Sequence, residues 1–108
     1  MIKINGELWR VRIVPPQHPA LYRNGNPAIG CCDDIVKTIF ISNILTQREM
    51  KKVLCHEIVH AAMYSYDVPI TDYVEEIVAD LIATYGREIV CKANLFFKRI
   101  KENREAFC

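Results

Sequence analysis

The sequence predicts an α+β fold: a small antiparallel sheet of three to four strands packed against one apolar helix and two further helices. Three observations predict it. Short β-branched runs separated by Asn-Gly and proline-rich turns fill residues 1–42; a capping box, Thr46-Gln47-Arg48-Glu49, opens an apolar helical run; and beyond Pro69 apolar residues recur with a helical period. With 108 residues, 51% of them hydrophobic, the chain has the size of one domain, residues 1–108, with a modest core.

Residues 2–4 and 7–14 read as strands joined at Asn5-Gly6, a pair that suits a two-residue hairpin turn. Alternation puts Trp9, Val11 and Ile13 on one face and Arg10 and Arg12 on the other. Pro15-Pro16 ends the second strand. The segment to Pro27, with His18, Pro19, Asn24-Gly25 and Asn26-Pro27, carries loop chemistry, and His18 reads as a loop residue rather than a ligand. Residues 28–33 and 37–42 form a second strand pair with its turn near residues 34–36, completing an antiparallel meander that needs helices over one face.

The first helix starts near Gln47 and runs to about Tyr66, where Asp67-Val68-Pro69 breaks it. Thr71 or Asp72 caps the next. In it Val74, Ile77, Val78, Leu81, Ile82 and Tyr85 form an apolar stripe expected to pack into the core, while Ala79 and Ala83, beside Glu76 and Asp80, let this helix approach the first closely. Gly86 reads as a kink or stop before a third helix to about Arg104, with Ile89, Ala93, Phe96, Phe97 and Ile100 on one face. Its charges, Glu88, Lys92, Lys98, Arg99, Lys101, Glu102 and Arg104, read as a solvated face.

Composition excludes several function classes. The formal net charge is +1, and like charges never run longer than two residues, so neither nucleic acid nor a membrane surface is an expected partner. No apolar run approaches the roughly 20 residues of a membrane span, and MIKINGELW is not a signal segment, so a cytoplasmic location is expected. Cys31, Cys32, Cys55, Cys91 and Cys108 are odd in number and lack CxxC spacing, which argues for free thiols rather than a disulfide framework. Cys55 adjoins His56 but points about 100° away from it around the helix, as a packing residue would.

The chemistry sits in the first helix, in His56-Glu57-Ile58-Val59-His60. Residues four apart on a helix project together, so His56 and His60 can share one cation, while Glu57, about 100° around from His56, is turned to meet water beside the cation. From Val53 to Tyr66 these three are the only acidic, basic or imidazole side chains. Burying them in so apolar a helix is costly unless a divalent cation compensates. A catalytic zinc takes three protein ligands, which leaves a third to find. Glu75 and Glu76 are the candidates; Glu76 is preferred because Asp80 lies one turn on, able to orient a ligand histidine, whereas Glu75 has Ala79 there. The two glutamates diverge by about 100°, so only one is expected to face the metal, and Glu75→Ala is expected to leave zinc affinity nearly intact.

HEIVH on one helix and EIVAD on the next resemble the gluzincin arrangement of zinc metallopeptidases. More narrowly, they are similar to the ImmA/IrrE-like and minimal-zincin proteins, several of them encoded by phages and mobile elements. The resemblance covers roughly residues 30–85. It departs from the ImmA-like pattern in having no glycine inside HExxH, in aspartate at position 80 where asparagine is commoner, and in ending soon after the third helix.

The expected function is zinc-dependent hydrolysis of peptide bonds in a peptide or protein substrate, with His56, His60 and Glu76 as ligands, Glu57 as general base and then acid, and Asp80 behind a histidine. The alternative is a zinc-stabilised binding or regulatory module without turnover, which would have no need of Glu57. The strand at residues 37–42 is expected to align an extended peptide by β-augmentation. Tyr64, Tyr66, Tyr73 and Tyr85 are unranked candidates for oxyanion stabilisation, and the sequence sets no oligomeric state.

Overall fold

A computed structural model describes the backbone of residues 1–107 and the side chains of residues 1–100. Cys108 and the side chains of Lys101, Glu102 and Arg104 lie outside the described residues. The architecture is α+β. In chain order the elements are strands β1 (Ile2–Ile4) and β2 (Glu7–Val14), a 3-10 turn (Pro19–Leu21), strands β3 (Tyr22–Arg23), β4 (Asn26–Pro27), β5 (Gly30–Asp33) and β6 (Thr38–Ser42), and helices α1 (Gln47–Ser65) and α2 (Asp72–Phe107).

The main sheet has the order β1-β2-β6-β5. β1 and β2 form the expected hairpin, with Asn5 and Gly6 both at positive φ as a two-residue turn of this twist requires. β6, however, pairs parallel to β2 and antiparallel to β5, so the sheet is mixed and not an antiparallel meander. The segment after Pro15-Pro16 carries the chain across before β5 begins, and β6 is then inserted between β2 and β5. Its five residues, Thr-Ile-Phe-Ile-Ser, are all buried, as a strand covered on both faces should be. Asn24 and Gly25, both at positive φ, make a second small hairpin of β3 and β4 where the sequence reads as loop.

Both faces of the sheet are covered. On one, Ile4, Trp9, Ile39 and Ile41 pack with Ala61 of α1, flanked by Cys32, Val53, Leu54 and Ile58. On the other, Val14, Cys31 and Phe40 pack with Leu21 of the 3-10 turn. His18 caps that turn, its Nδ1 accepting from the Ala20 N–H at 3.1 Å, and its ring stacks on Phe40.

Thr46 and Glu49 form the complete capping box at the start of α1. The helix ends with Asp67 in the left-handed region at φ 51°, its N–H donating to the Tyr64 carbonyl and the Val68 N–H to that of Met63. This is a Schellman stop with aspartate where glycine is usual. Thr71 rather than Asp72 caps α2, its hydroxyl accepting from the Val74 N–H at 3.2 Å.

α2 differs from expectation in two ways. It is one helix of 36 residues, with no break at Gly86. An isolated glycine costs a helix only about 1 kcal/mol relative to alanine and supplies no stop by itself. The alanine side faces α1 as expected, with Ala79 fully buried, but the stripe containing Val74, Ile77, Leu81, Ile82 and Tyr85 does not pack into the core and is exposed. The alanine face permits close approach to α1, and it is the face that brings the acidic residues of α2 onto the histidines of α1.

Gly30 is where β5 and α1 come closest. A Cβ there would collide with Val53 Cγ1 and lie 3.3 Å from Glu57 Cγ. Val53 is β-branched and stiff, so relief requires moving β5 away from α1. Gly30→Ala is therefore expected to destabilise the fold by about 1–3 kcal/mol, the cost typical of overpacking, as read from the shift in a urea unfolding midpoint. An unchanged midpoint would show that the strand and helix are not packed this tightly.

Candidate metal centre

Three side chains converge between α1 and α2. His56 Nε2 and His60 Nε2 face each other at 3.1 Å. Glu76 reaches both, Oε1 lying 2.8 Å from His60 Nε2 and Oε2 lying 3.3 Å from His56 Nε2. One ligand-capable atom from each of the three falls within 4.8 Å of the others. The one-turn spacing on α1 supplies the pair of imidazoles, and the alanine face of α2 supplies the carboxylate.

The far side of each ring is also held. His56 Nδ1 lies 2.9 Å from Asp80 Oδ1, and His60 Nδ1 lies 2.8 Å from Glu75 Oε2. Carboxylates accept only, so each Nδ1 carries the proton it donates and each Nε2 of a neutral ring is left with a lone pair. Two lone pairs and a carboxylate then face one another with no donor among them, a repulsion that a cation at the centre would relieve, as would one proton on either Nε2 shared with the other ring or with Glu76. Protonating both rings would instead set two N–H groups head to head. The donor types are those zinc takes; two nitrogens and an oxygen bound tetrahedrally at 2.0–2.2 Å would lie about 3.3 Å apart or slightly more, against 3.3 and 3.1 Å for two of the separations here and 2.8 Å for the third, which would have to open by about half an ångström.

Sequence reasoning missed the role of Glu75. Both glutamates face the histidines despite their 100° divergence, because Glu76 meets the Nε2 side and Glu75 the Nδ1 side of His60. The expectation that only one of the two glutamates faces the site is corrected: Glu75 stands to His60 as Asp80 stands to His56. The signal was available in the symmetry of the problem, since two ligand histidines need two partners behind them.

Glu57 is buried and points into the same cleft. Burial pushes its carboxyl above the ordinary range, while His60, His56 and Arg23 pull it back and Glu76 adds to the rise. The cleft, about 1090 Å³, runs from Arg23 and β5 past Glu57 and the histidines to Val68. Of the four tyrosines considered from sequence, Tyr64 alone lines it, with Lys37 Nζ 4.3 Å from its ring centre.

The strand that borders the cleft is β5, not β6. β6 is paired on both sides and has no edge to offer. Ser42 N–H donates to the Ile29 carbonyl at 2.9 Å, and Gly30 is registered with Ile41, so residues 29, 31 and 33 turn their main-chain groups to β6 while Gly30 and Cys32 turn theirs to the outer edge. Arg23, on the β3-β4 hairpin, donates to the Cys32 carbonyl at 3.2 Å and contacts Cys31 Sγ at 3.2 Å. Burial pushes the Cys32 thiol up to about 12, which leaves it inert as a nucleophile. Cys31, Cys32, Cys55 and Cys91 are all free.

No helix among the described residues is long and apolar enough to cross a membrane. Comparison with protein-family models, with curated proteins and with solved structures gives no match to this chain, so the functional reading rests on the geometry of the site.

Proposed function

We propose that the protein is a zinc-dependent peptidase in which His56, His60 and Glu76 hold the metal and Glu57 moves the proton. The observation that carries this is the convergence of three acceptors, two of them locked in the metal-binding tautomer by Asp80 and Glu75. Zinc, when bound, supplies the Lewis acidity that polarises a carbonyl and acidifies water.

The chain's own groups do the rest. Glu57, with its proton affinity raised by burial, takes the proton of the attacking water and returns it to the leaving amine as the C–N bond breaks. The Gly30 N–H and carbonyl, at the outer edge of β5, are positioned to hydrogen-bond an extended peptide alongside the site. The absent Cβ at Gly30 lets that strand lie against Glu57. Glu57 also favours this reading over a metal-stabilised binding module, because a site with only a structural role gains nothing from a buried carboxyl beside its ligands.

Protein purified without chelator is expected to carry one zinc per chain by elemental analysis and to lose thermal stability when the metal is stripped. Metal-free protein that neither takes up added zinc nor gains stability from it would overturn the proposal.

A further inference from the structure

The cleft is lopsided in charge. Among the described residues that line it, seven are carboxylic, Asp34, Asp67 and Asp72 among them, and Arg23 is the only lysine or arginine. Arg23 ends β3, just before the positive-φ turn Asn24-Gly25, and from there its side chain reaches the outer edge of β5. Its Nη2 is spent on neutral partners, the Cys32 carbonyl and Cys31 Sγ, each at 3.2 Å. Nε and Nη1 have no hydrogen-bond partner among the described residues, and the guanidinium forms no ion pair there, not even with nearby Asp34. We infer that Arg23 is a specificity residue that selects peptides carrying a carboxylate beside the bond to be cleaved, either a free carboxyl terminus or an Asp or Glu side chain. The inference rests on the peptidase reading of the site.

The edge of β5 fixes where that carboxylate falls. The Gly30 N–H, the Gly30 carbonyl and the Cys32 N–H face outward without a partner among the described residues, whereas the Cys32 carbonyl, the next outward acceptor, is held by Arg23. An extended peptide can therefore pair with Gly30, which lies against Glu57, but it cannot carry the ladder on through Cys32 while Arg23 caps it. The edge is one residue long. Two residues of strand span about 7 Å, so a chain paired at Gly30 brings its next one or two residues against the guanidinium. If the chain ends there, its terminal carboxylate meets Nε and Nη1; if it turns away into solvent, an acidic side chain takes the same place. Both present the planar pair of oxygens that a guanidinium binds through several N–H groups at once. A neutral residue leaves those donors to water, and a basic residue meets like charge. Elsewhere along the lining, the metal apart, a carboxylate meets only other carboxylates.

The test uses the full chain with saturating zinc and four sets of dansyl-labelled, otherwise uncharged peptides: amidated, free at the carboxyl terminus, amidated with Asp or Glu, and amidated with Lys or Arg. Wild-type kcat/KM is expected to be about 10-fold higher for a carboxylate set than for the neutral amidated set, the low end of what a charge-assisted hydrogen bond contributes at an exposed group. The set that gains identifies the source of the carboxylate. Arg23→Gln, whose amide can still donate to the Cys32 carbonyl, should bring that ratio down to about 1, and Arg23→Lys should keep part of it because charge remains without the fork. Equilibrium binding of the same peptides to zinc-loaded Glu57→Gln protein, read by dansyl fluorescence, should show the same preference without turnover. Hydrolysis of all four sets at equal rates, or a carboxylate preference that survives Arg23→Gln, would overturn the role of Arg23 and leave the peptidase reading standing. A carboxylate preference in binding that Arg23→Gln abolishes, with no set hydrolysed by the wild type, would support Arg23 and remove the peptidase reading. Neither binding nor hydrolysis of any set would overturn both.

Discussion

Glu57→Gln protein is expected to bind zinc as tightly as the wild type and to hydrolyse a responsive peptide about 10²- to 10⁴-fold more slowly, the share that a positioned acid–base group contributes. The two halves of that result come from different atoms. The convergent acceptors belong to His56, His60 and Glu76, and Glu57 is not among them, so the substitution leaves the donor set intact. The amide keeps the shape of the carboxylate in a buried position where shape matters, since Glu57 is 7% exposed and packs against β5 at Gly30. It cannot accept a proton from water near neutral pH. Two measurements on one preparation separate the roles: zinc affinity by competition with a chromophoric chelator, and turnover on a peptide library. Wild-type rates in the variant would remove Glu57 from the chemistry. Loss of zinc would mean that Glu57 supports the metal rather than the reaction.

The second large effect concerns the three carboxylates of α2. Glu76→Ala removes one of three ligands and should weaken zinc binding more than about 100-fold, beyond the 10- to 100-fold that loss of a partner behind a ligand typically costs. Asp80→Ala and Glu75→Ala should each fall within that smaller range, because each frees the Nδ1 of one histidine from a contact of 2.9 or 2.8 Å and lets the ring turn or change tautomer. Asp80→Asn should recover part of the loss, since its amide oxygen still accepts from His56. The titration of all four variants ranks them directly. A Glu75→Ala defect larger than that of Glu76→Ala would exchange the two roles and remove the ligand assignment on which the peptidase reading stands.

What could be read from the sequence was what short-range geometry controls. The capping box, the hairpin at Asn5-Gly6, the end of α1 at Asp67 and the co-projection of His56 with His60 all depend on residues within about one helical turn or one hairpin turn, and the chain carries that information in adjacent letters. The pairing of Glu76 and Asp80 with the histidines was legible in part, because a turn-spaced acidic pair on the following helix has few geometries open to it.

Tertiary structure decided what depends on partners far apart in sequence. β6 lies parallel to β2 because the chain crosses over before β5, which only the three-dimensional path can specify, and that crossover makes β5 the edge strand at the cleft. The sequence shows the small-residue side of α2 on which α1 can approach, but not whether anything covers the apolar stripe on its other side. In α2 the alanine face went inward, since close approach to α1 and the four histidine–carboxylate contacts all lie on that side. The apolar stripe was thereby left outside. Glu75 gained its role by the same choice, because whether a side chain lies in front of a ring or behind it is set by how two helices cross, a distance and an angle that no local pattern records.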